Sequence, residues 1–385
     1  MSKIPITSST VEGAEISWFA PLCNGDFEFF GQFDDHLKSN WENTSRIVQT
    51  ADALGYRNVL CPSSYQVGQD TLSFVAAMAP LTTNINLLAA VRCGEVHPPM
   101  LARALATMDH ILKGRLTVNI ISSNLPGEDL DSEARYQRSA EVITLLKQAW
   151  TQEEINFKGA FYKLEGLDTA PVKPYQQNGG PLLYFGGYSP PGVALCAAHC
   201  DVYLMWPETE SRLQELMQNM ATKAAEKGRT VDFGLRIHMI VRETEAEARA
   251  HAKKIMSKID AQQGKDIRER ALDAKSLGVA RQAEMRALSD LDGFVEENLW
   301  TGIGRARSGC GAALVGDPDQ IVKKIERYME MGIRSFIFSG YPHLEECQLF
   351  AKHVLPRLKT VSLPEVYGRR PKTPPQTPLA AGKRN

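Results

Sequence analysis

A chain of 385 residues, 43% hydrophobic and 23% charged, carries enough apolar material for a large core and too ordinary a composition for wholesale disorder. Its formal net charge of -1 excludes a global field that would recruit nucleic acid or an anionic membrane, so anion selectivity must be local. No apolar stretch is long enough to cross a bilayer and the start MSKIPITSSTVEG lacks the layout of a signal peptide, which makes a cytoplasmic protein the expectation.

From the N-terminus, short β-branched runs alternate with helical stretches. EISWFAP is followed by a helical pattern over 40–54, with Ile47, Ala51 and Leu54 on one face. NVLCP, INLLAAVR and LTVNIIS come next, with helices over 98–112 and 132–151. LLYFGG, DVYLMW and FGLRIHMIV follow, with a helix over 208–227, and SFIFSG closes the series between helices over 317–331 and 343–356. Eight strands alternating with helices predict a closed (β/α)8 TIM barrel, an α/β fold. A minimal barrel needs only about 250 residues, so the chain also holds insertions.

An open doubly wound sheet usually carries G-x-G-x-x-G after its first strand, and FAPLCNGDFEFFG does not match. GRARSGCGAALVGD lacks the Lys-Ser/Thr ending of a phosphate-binding Walker loop. One domain is expected over 1–362, with an insertion at about 260–315 that starts charged and helical and ends in TGIGRARSGCGAAL. That segment, bearing Arg305 and Arg307 among glycines, reads either as a lid on the barrel mouth or as a flexible surface loop. Residues 363–385 read as a proline-rich basic tail, solvated or resting as an arm on a neighbouring subunit.

The seven cysteines are scattered without paired spacing and read as free thiols. Cys196, His199 and Cys200 lie within one helical turn, but no second cluster completes a tetrahedron, so no metal site is expected.

A barrel of this kind places its chemistry at the C-terminal ends of its strands. Trp206 ends the sixth run, and Tyr341 and His343 follow the eighth. In the seventh, alternation turns Leu235, Ile237 and Met239 toward the outer helices and Arg236 and His238 toward the axis. Arg236, His238, Arg307, Tyr341 and His343 together suit a carboxylate or sulfonate, which matches the arginine fork. FGGYSPPG has the ingredients of a phosphate cradle in Gly186, Gly187, Ser189 and a following helix N-terminus, or is merely a tight strand-to-helix turn.

SWFAP, GYRNVLCP, ATMDHILKGRLTVNIIS, ARYQRS, PLLYFGGYS, DVYLMW, FGLRIHMIVRET, ENLWTGIGRARSGCGAALVGD and SGYPHLEE, in this order, resemble the bacterial-luciferase-like flavin-dependent alkanesulfonate monooxygenases over about residues 15–358. The resemblance implies a two-component system. A separate NAD(P)H-dependent flavin reductase supplies FMNH2, and this chain combines it with O2 and an organosulfonate to release sulfite and an aldehyde. It places Trp206, Arg236, His238, Arg307, Tyr341 and His343 about the sulfonate, with Arg236, His238, Tyr341 and Arg307 as the catalytic set. Ser122, Tyr136, Gly186, Gly187 and Ser189 would hold the flavin. His238, with an ordinary pKa near 6.5, would exchange a proton around neutrality.

Departures bear on the substrate. Cys23 and Asn24 stand near the family's histidine, Gly68 about where it has an active-site cysteine, and Glu95 and His97 enter after the third strand. Compact and polar replacements argue for a hydroxylated sulfonate. The chain is similar to the branch that converts sulfoquinovose to 6-dehydroglucose and sulfite. A general alkanesulfonate or methanesulfonate enzyme, a catalytically silent flavin binder and an F420-dependent member are the alternatives, and a homodimer or tetramer is the expected assembly.

Overall fold

The computed structural model describes residues 4–23, 25–32, 34–169, 173–269 and 276–375. Strands occur in chain order as β1 (Glu15–Phe19), β2 (Asn58–Cys61), β3 (Asn86–Arg92), β4 (Leu116–Ile121), β5 (Glu154–Lys158), β6 (Lys163–Asp168), β7 (Leu182–Phe185), β8 (Val202–Met205), β9 (Asp232–Val241), β10 (Phe294–Glu296), β11 (Leu299–Trp300), β12 (Ala313–Gly316) and β13 (Ile333–Ser339). The expected eight runs are β1 to β4, β7, β8, β9 and β13. They pair in parallel and close on themselves, because β13 bonds both β9 and β1 while β8 bonds β9.

Alternation sorts each strand between the axis and the helical shell. Trp18 packs outward against Tyr56 and Phe350 at ring separations of 5.4 and 6.4 Å. Its neighbours on β1 turn inward, and the Glu15 carboxylate meets side chains of four other strands. It accepts from Tyr184 at 2.6 Å, Asn58 at 3.2 Å, and Asn86 and Ser335 at 3.4 Å. Burial is the main cause of its raised pKa, opposed by those bonds.

The barrel floor also takes up chain that reads in sequence as tail. Leu363–Val366 is helical, Leu363 is fully buried, and its backbone N–H donates to Glu15. Tyr367 donates to the Asp232 carboxylate at 3.0 Å. The boundary at 362 therefore needs correction: residues 363–370 plug their own barrel, and 376–385 lie outside the described residues.

Two features escape the eight-strand pattern. The antiparallel β5–β6 hairpin hangs on Glu141, whose carboxylate accepts the N–H groups of Ala160, Phe161 and Tyr162 at 2.7, 3.0 and 3.1 Å. The insertion forms helices Ala261–Glu269 and Leu277–Ala287 and then β10, β11 and β12. β12 pairs with β9 from His238 to Val241, directly above the stretch where β8 pairs with it from Asp232 to Leu235. It is docked, not trailing. Gln282 donates to the Pro207 carbonyl at 2.6 Å and accepts from Gly311, and buried Lys324 bridges Glu210 and Glu296 at 2.7 Å each. Residues 270–275 lie outside the described residues. Among those described, no helix is long and apolar enough to cross a membrane.

Candidate functional site

The upper half of β9 brings the first group together. Arg236 is 6% exposed, and its guanidinium lies 4.5 Å from the Phe19 ring centroid. Nη1 donates to the carbonyls of Ile237 at 3.2 Å and Ile337 at 3.4 Å, while buried Nη2 has no partner among the described residues. Burial chiefly, and the nearby Arg307 charge, pull its pKa below the usual value. A guanidinium stays charged even so, and a buried cation without a carboxylate is costly until a ligand supplies the missing anion.

Arg307, delivered by the insertion between β11 and β12, donates through Nη1 to the Tyr341 hydroxyl at 2.6 Å. Because that oxygen accepts, the Tyr341 O–H remains to donate. The Tyr341 ring stacks on His238 at 5.3 Å and meets His343 edge-on at 4.8 Å.

His343 is fixed by Asp26, which accepts from its backbone N–H and lies 2.8 Å from Nδ1. A carboxylate there accepts, so Nδ1 carries a proton and Nε2, buried and unpartnered among the described residues, is the ring atom left for a ligand.

His238 departs from expectation. Its Nε2 is 3.1 Å from the Cys310 carbonyl, which can only accept, and its Nδ1 is 2.7 Å from Ser339 Oγ. The neutral tautomer with the proton on Nε2 satisfies both contacts. Burial first, then the Arg236 and Arg307 charges, push the pKa well below 6.5. The expected proton exchange around neutrality is thus corrected: in this setting the imidazole is neutral at pH 7.

The second group surrounds the turn after β7. Ser189 caps the helix Pro190–His199 by accepting from Gly192, and the Tyr203 hydroxyl donates to the Gly187 carbonyl at 2.9 Å. A side chain at Gly187 would press on the Phe185 ring, at 2.9 Å, and approach the Tyr136 hydroxyl, at 3.4 Å, so glycine keeps this turn open. Gly186 precedes it at the end of β7, against the Leu204 carbonyl. Ser122 is held by Ser139 at 2.7 Å, on the same helix, Ser132–Thr151, that carries Tyr136. Trp206 stands at the seam of the two groups, since β8 lies between β7 and β9. Its backbone N–H donates to the Tyr188 hydroxyl at 2.5 Å, and the two rings are 6.3 Å apart.

The loops flagged as departures divide. Gly68, at φ +84°, abuts the Leu22 carbonyl so closely that a Cβ would sit 1.8 Å from it, which fits it against the Leu22–Cys23 turn. Asn24 lies outside the described residues. Glu95 and His97 are exposed, with His97 edge-on to Tyr162 at 6.0 Å.

Sequence reasoning missed Asp26, Ser339 and Cys310, which orient the two histidines, and Tyr188 with Arg281, whose guanidinium lies 5.0 Å from the Tyr188 ring. It also missed Arg92, although an apolar run ending in arginine at a strand's C-terminal end is a usable signal.

The family described as luciferase-like monooxygenase matches residues 16–335. A sulfoquinovose monooxygenase of Agrobacterium fabrum is 57% identical over 385 residues, covering 100% of both chains. One from Novosphingobium aromaticivorans is 49% identical over 354 residues, covering 90% of this chain and 97% of that one. Among solved structures, a riboflavin lyase with modified FMN and riboflavin superposes with a TM-score of 0.73 at 14% identity, over 90% of this chain and 91% of that one.

Proposed function

The chain belongs to the luciferase-like monooxygenase family, and from that premise we propose that it is an FMNH2-dependent monooxygenase that oxidatively desulfonates sulfoquinovose. The observation that carries this reading is the Arg236 guanidinium, buried without a carboxylate and with Nη2 unpartnered among the described residues. A sulfonate is anionic at every biological pH, and its oxygens meet the needs of that fork. Identity of 57% over the whole chain and 49% over 90% of it, to two proteins named for this substrate, supports the sugar over a simple alkanesulfonate.

The cradle of Gly187, Ser189, the helix N-terminus and Tyr136 fits a phosphate, and Ser122 would stand beside the flavin. Reduced FMN, when bound, supplies the activation of O2. The balanced reaction takes sulfoquinovose, FMNH2 and O2 to 6-dehydroglucose, sulfite, FMN and water.

The chain's own residues then act in defined ways. Arg236 and Arg307 hold the sulfonate. The Tyr341 O–H, its oxygen already accepting from Arg307, holds a proton that it donates to a developing oxyanion. Asp26 sets His343 so that Nε2 faces a ligand, and neutral His238 supports the Tyr341 ring. Trp206, packed against Gly278 of the insertion, would help exclude water. A separate NAD(P)H-dependent flavin reductase as transient partner, a homodimeric assembly and a cytoplasmic setting complete the reading.

The test is sulfite release from sulfoquinovose, methanesulfonate and octanesulfonate, each with a flavin reductase, NADH and FMN. Sulfite from sulfoquinovose at a rate at least tenfold above the alkanesulfonates is expected. Release from the alkanesulfonates alone would overturn the substrate, and sulfite release with reduced F420 but not with FMNH2 would overturn the cofactor.

A further inference from the structure

Resting on the flavin reading above, we infer that Arg92 binds the pyrimidine edge of the reduced cofactor and so makes the site selective for reduced over oxidised flavin. Arg92 ends β3 at the rim and is 4% exposed. Its Nη1 donates to Ser123 Oγ and its Nη2 to the Ser63 carbonyl at 3.4 Å, while Nε is buried with no partner among the described residues. The Tyr65 ring centroid lies 5.3 Å from the guanidinium. As at Arg236, none of these partners is a carboxylate, and a desolvated cation of this kind requires a negatively charged or oxygen-rich ligand.

The strand order identifies which ligand. In the ring β1, β2, β3, β4, β7, β8, β9 and β13, β3 stands opposite β9, so the strands that carry Arg92 and Arg236 lie on opposite sides of the barrel. The sulfonate group, on β9, after β13 and on the loop after β1, occupies one half of the rim. The phosphate cradle follows β7, Ser122 follows β4, and Arg92 donates to the residue next to Ser122, so one continuous arc runs over the other half. A flavin with its phosphate at the β7 turn and its reacting centre toward the sulfonate lays its ring along that arc. Reduced isoalloxazine at neutral pH carries a negative charge delocalised over N1 and the C2 oxygen, while the oxidised ring is neutral. A guanidinium there favours the reduced form.

Arg92→Met, Arg92→Lys and the unaltered protein are titrated anaerobically with FMNH2 and aerobically with FMN by fluorescence, with sulfoquinovose affinity read by calorimetry and folding by thermal melts. Arg92→Met should weaken FMNH2 binding at least tenfold and FMN binding less than threefold, with sulfoquinovose affinity unchanged. Arg92→Lys, which keeps the charge without the fork, should fall between and decides the matter where the methionine variant melts abnormally. Equal weakening of both flavin forms, or a loss confined to sulfoquinovose, overturns the assignment while leaving the flavin reading intact. Failure of the unaltered protein to bind FMNH2 overturns both.

Discussion

Arg307 Nη1 lies 2.6 Å from the Tyr341 hydroxyl, so a side chain carried by the insertion is latched to the loop that follows the last barrel strand. This bond couples the position of the insertion to the group proposed to donate a proton. Arg307→Ala should lower kcat/KM for sulfite release by about 100-fold or more, since it removes both a cation and the latch. Tyr341→Phe should act mainly on kcat. The double variant should lose less than the product of the two single losses, with a coupling of about 1–3 kcal/mol. Strict additivity in steady-state sulfite assays would show that the two side chains act independently.

Arg236 should trade stability for function. Its buried charge is solvated by two backbone carbonyls and an aromatic face, without a carboxylate. Replacing a desolvated cation with an apolar side chain of similar reach commonly stabilises a fold by about 1–4 kcal/mol. Arg236→Met should therefore unfold at higher denaturant than the unaltered protein while losing measurable sulfonate affinity. A variant that is both less stable and still competent to bind would contradict the role given to this residue.

These two residues also show what a sequence can disclose. Arg236 and His238 stood out because charged or polar groups interrupt an apolar run that must be buried on both faces. The eight strands were legible for the same reason. What spacing cannot report is how the polar groups are satisfied. Asp26 meets His343 across 317 positions and Cys310 meets His238 across 72, so the orientation of both rings was invisible. His238 looked like a titrating base because burial, not residue type, decides its protonation. The β5–β6 hairpin was hidden by its largely exposed, charged surface, and β12 by the glycine-rich stretch that leads into it.

The neutral state of His238 gives a pH signature. An unfolded histidine takes up its proton near pH 6.5, whereas the buried ring does so only well below that. Its contribution to stability is intact above about pH 6.5 and is lost as pH falls below it, at about 1.4 kcal/mol per unit until the folded pKa is reached. His199 and His251, both pushed down to about 4 mainly by burial, add slopes of the same sign. Comparing the unaltered protein with His238→Asn cancels those shared terms. Denaturation at pH 7.5 and 5.5 should show a smaller acid loss in the variant, by about 1.4 kcal/mol. Identical losses would mean that His238 protonates in the folded state as readily as in the unfolded one.

The barrel floor makes the last prediction. Leu363 is fully buried beneath β1, its N–H meets Glu15, and Tyr367 donates to an Asp232 carboxylate otherwise satisfied by Ser8. Leu363→Ala should cost about 2–5 kcal/mol, the range for a buried leucine whose cavity only partly collapses. Ending the chain after residue 362 should cost more, because it removes the Tyr367 bond as well and opens the floor beside a buried carboxylate. Urea denaturation measures the loss, and light scattering on the same samples separates it from a change of assembly. A leucine packed in its own barrel destabilises the fold at unchanged molar mass. An arm that joins subunits instead changes the mass and leaves the protomer's midpoint nearly where it was, and that pattern would refute the plug.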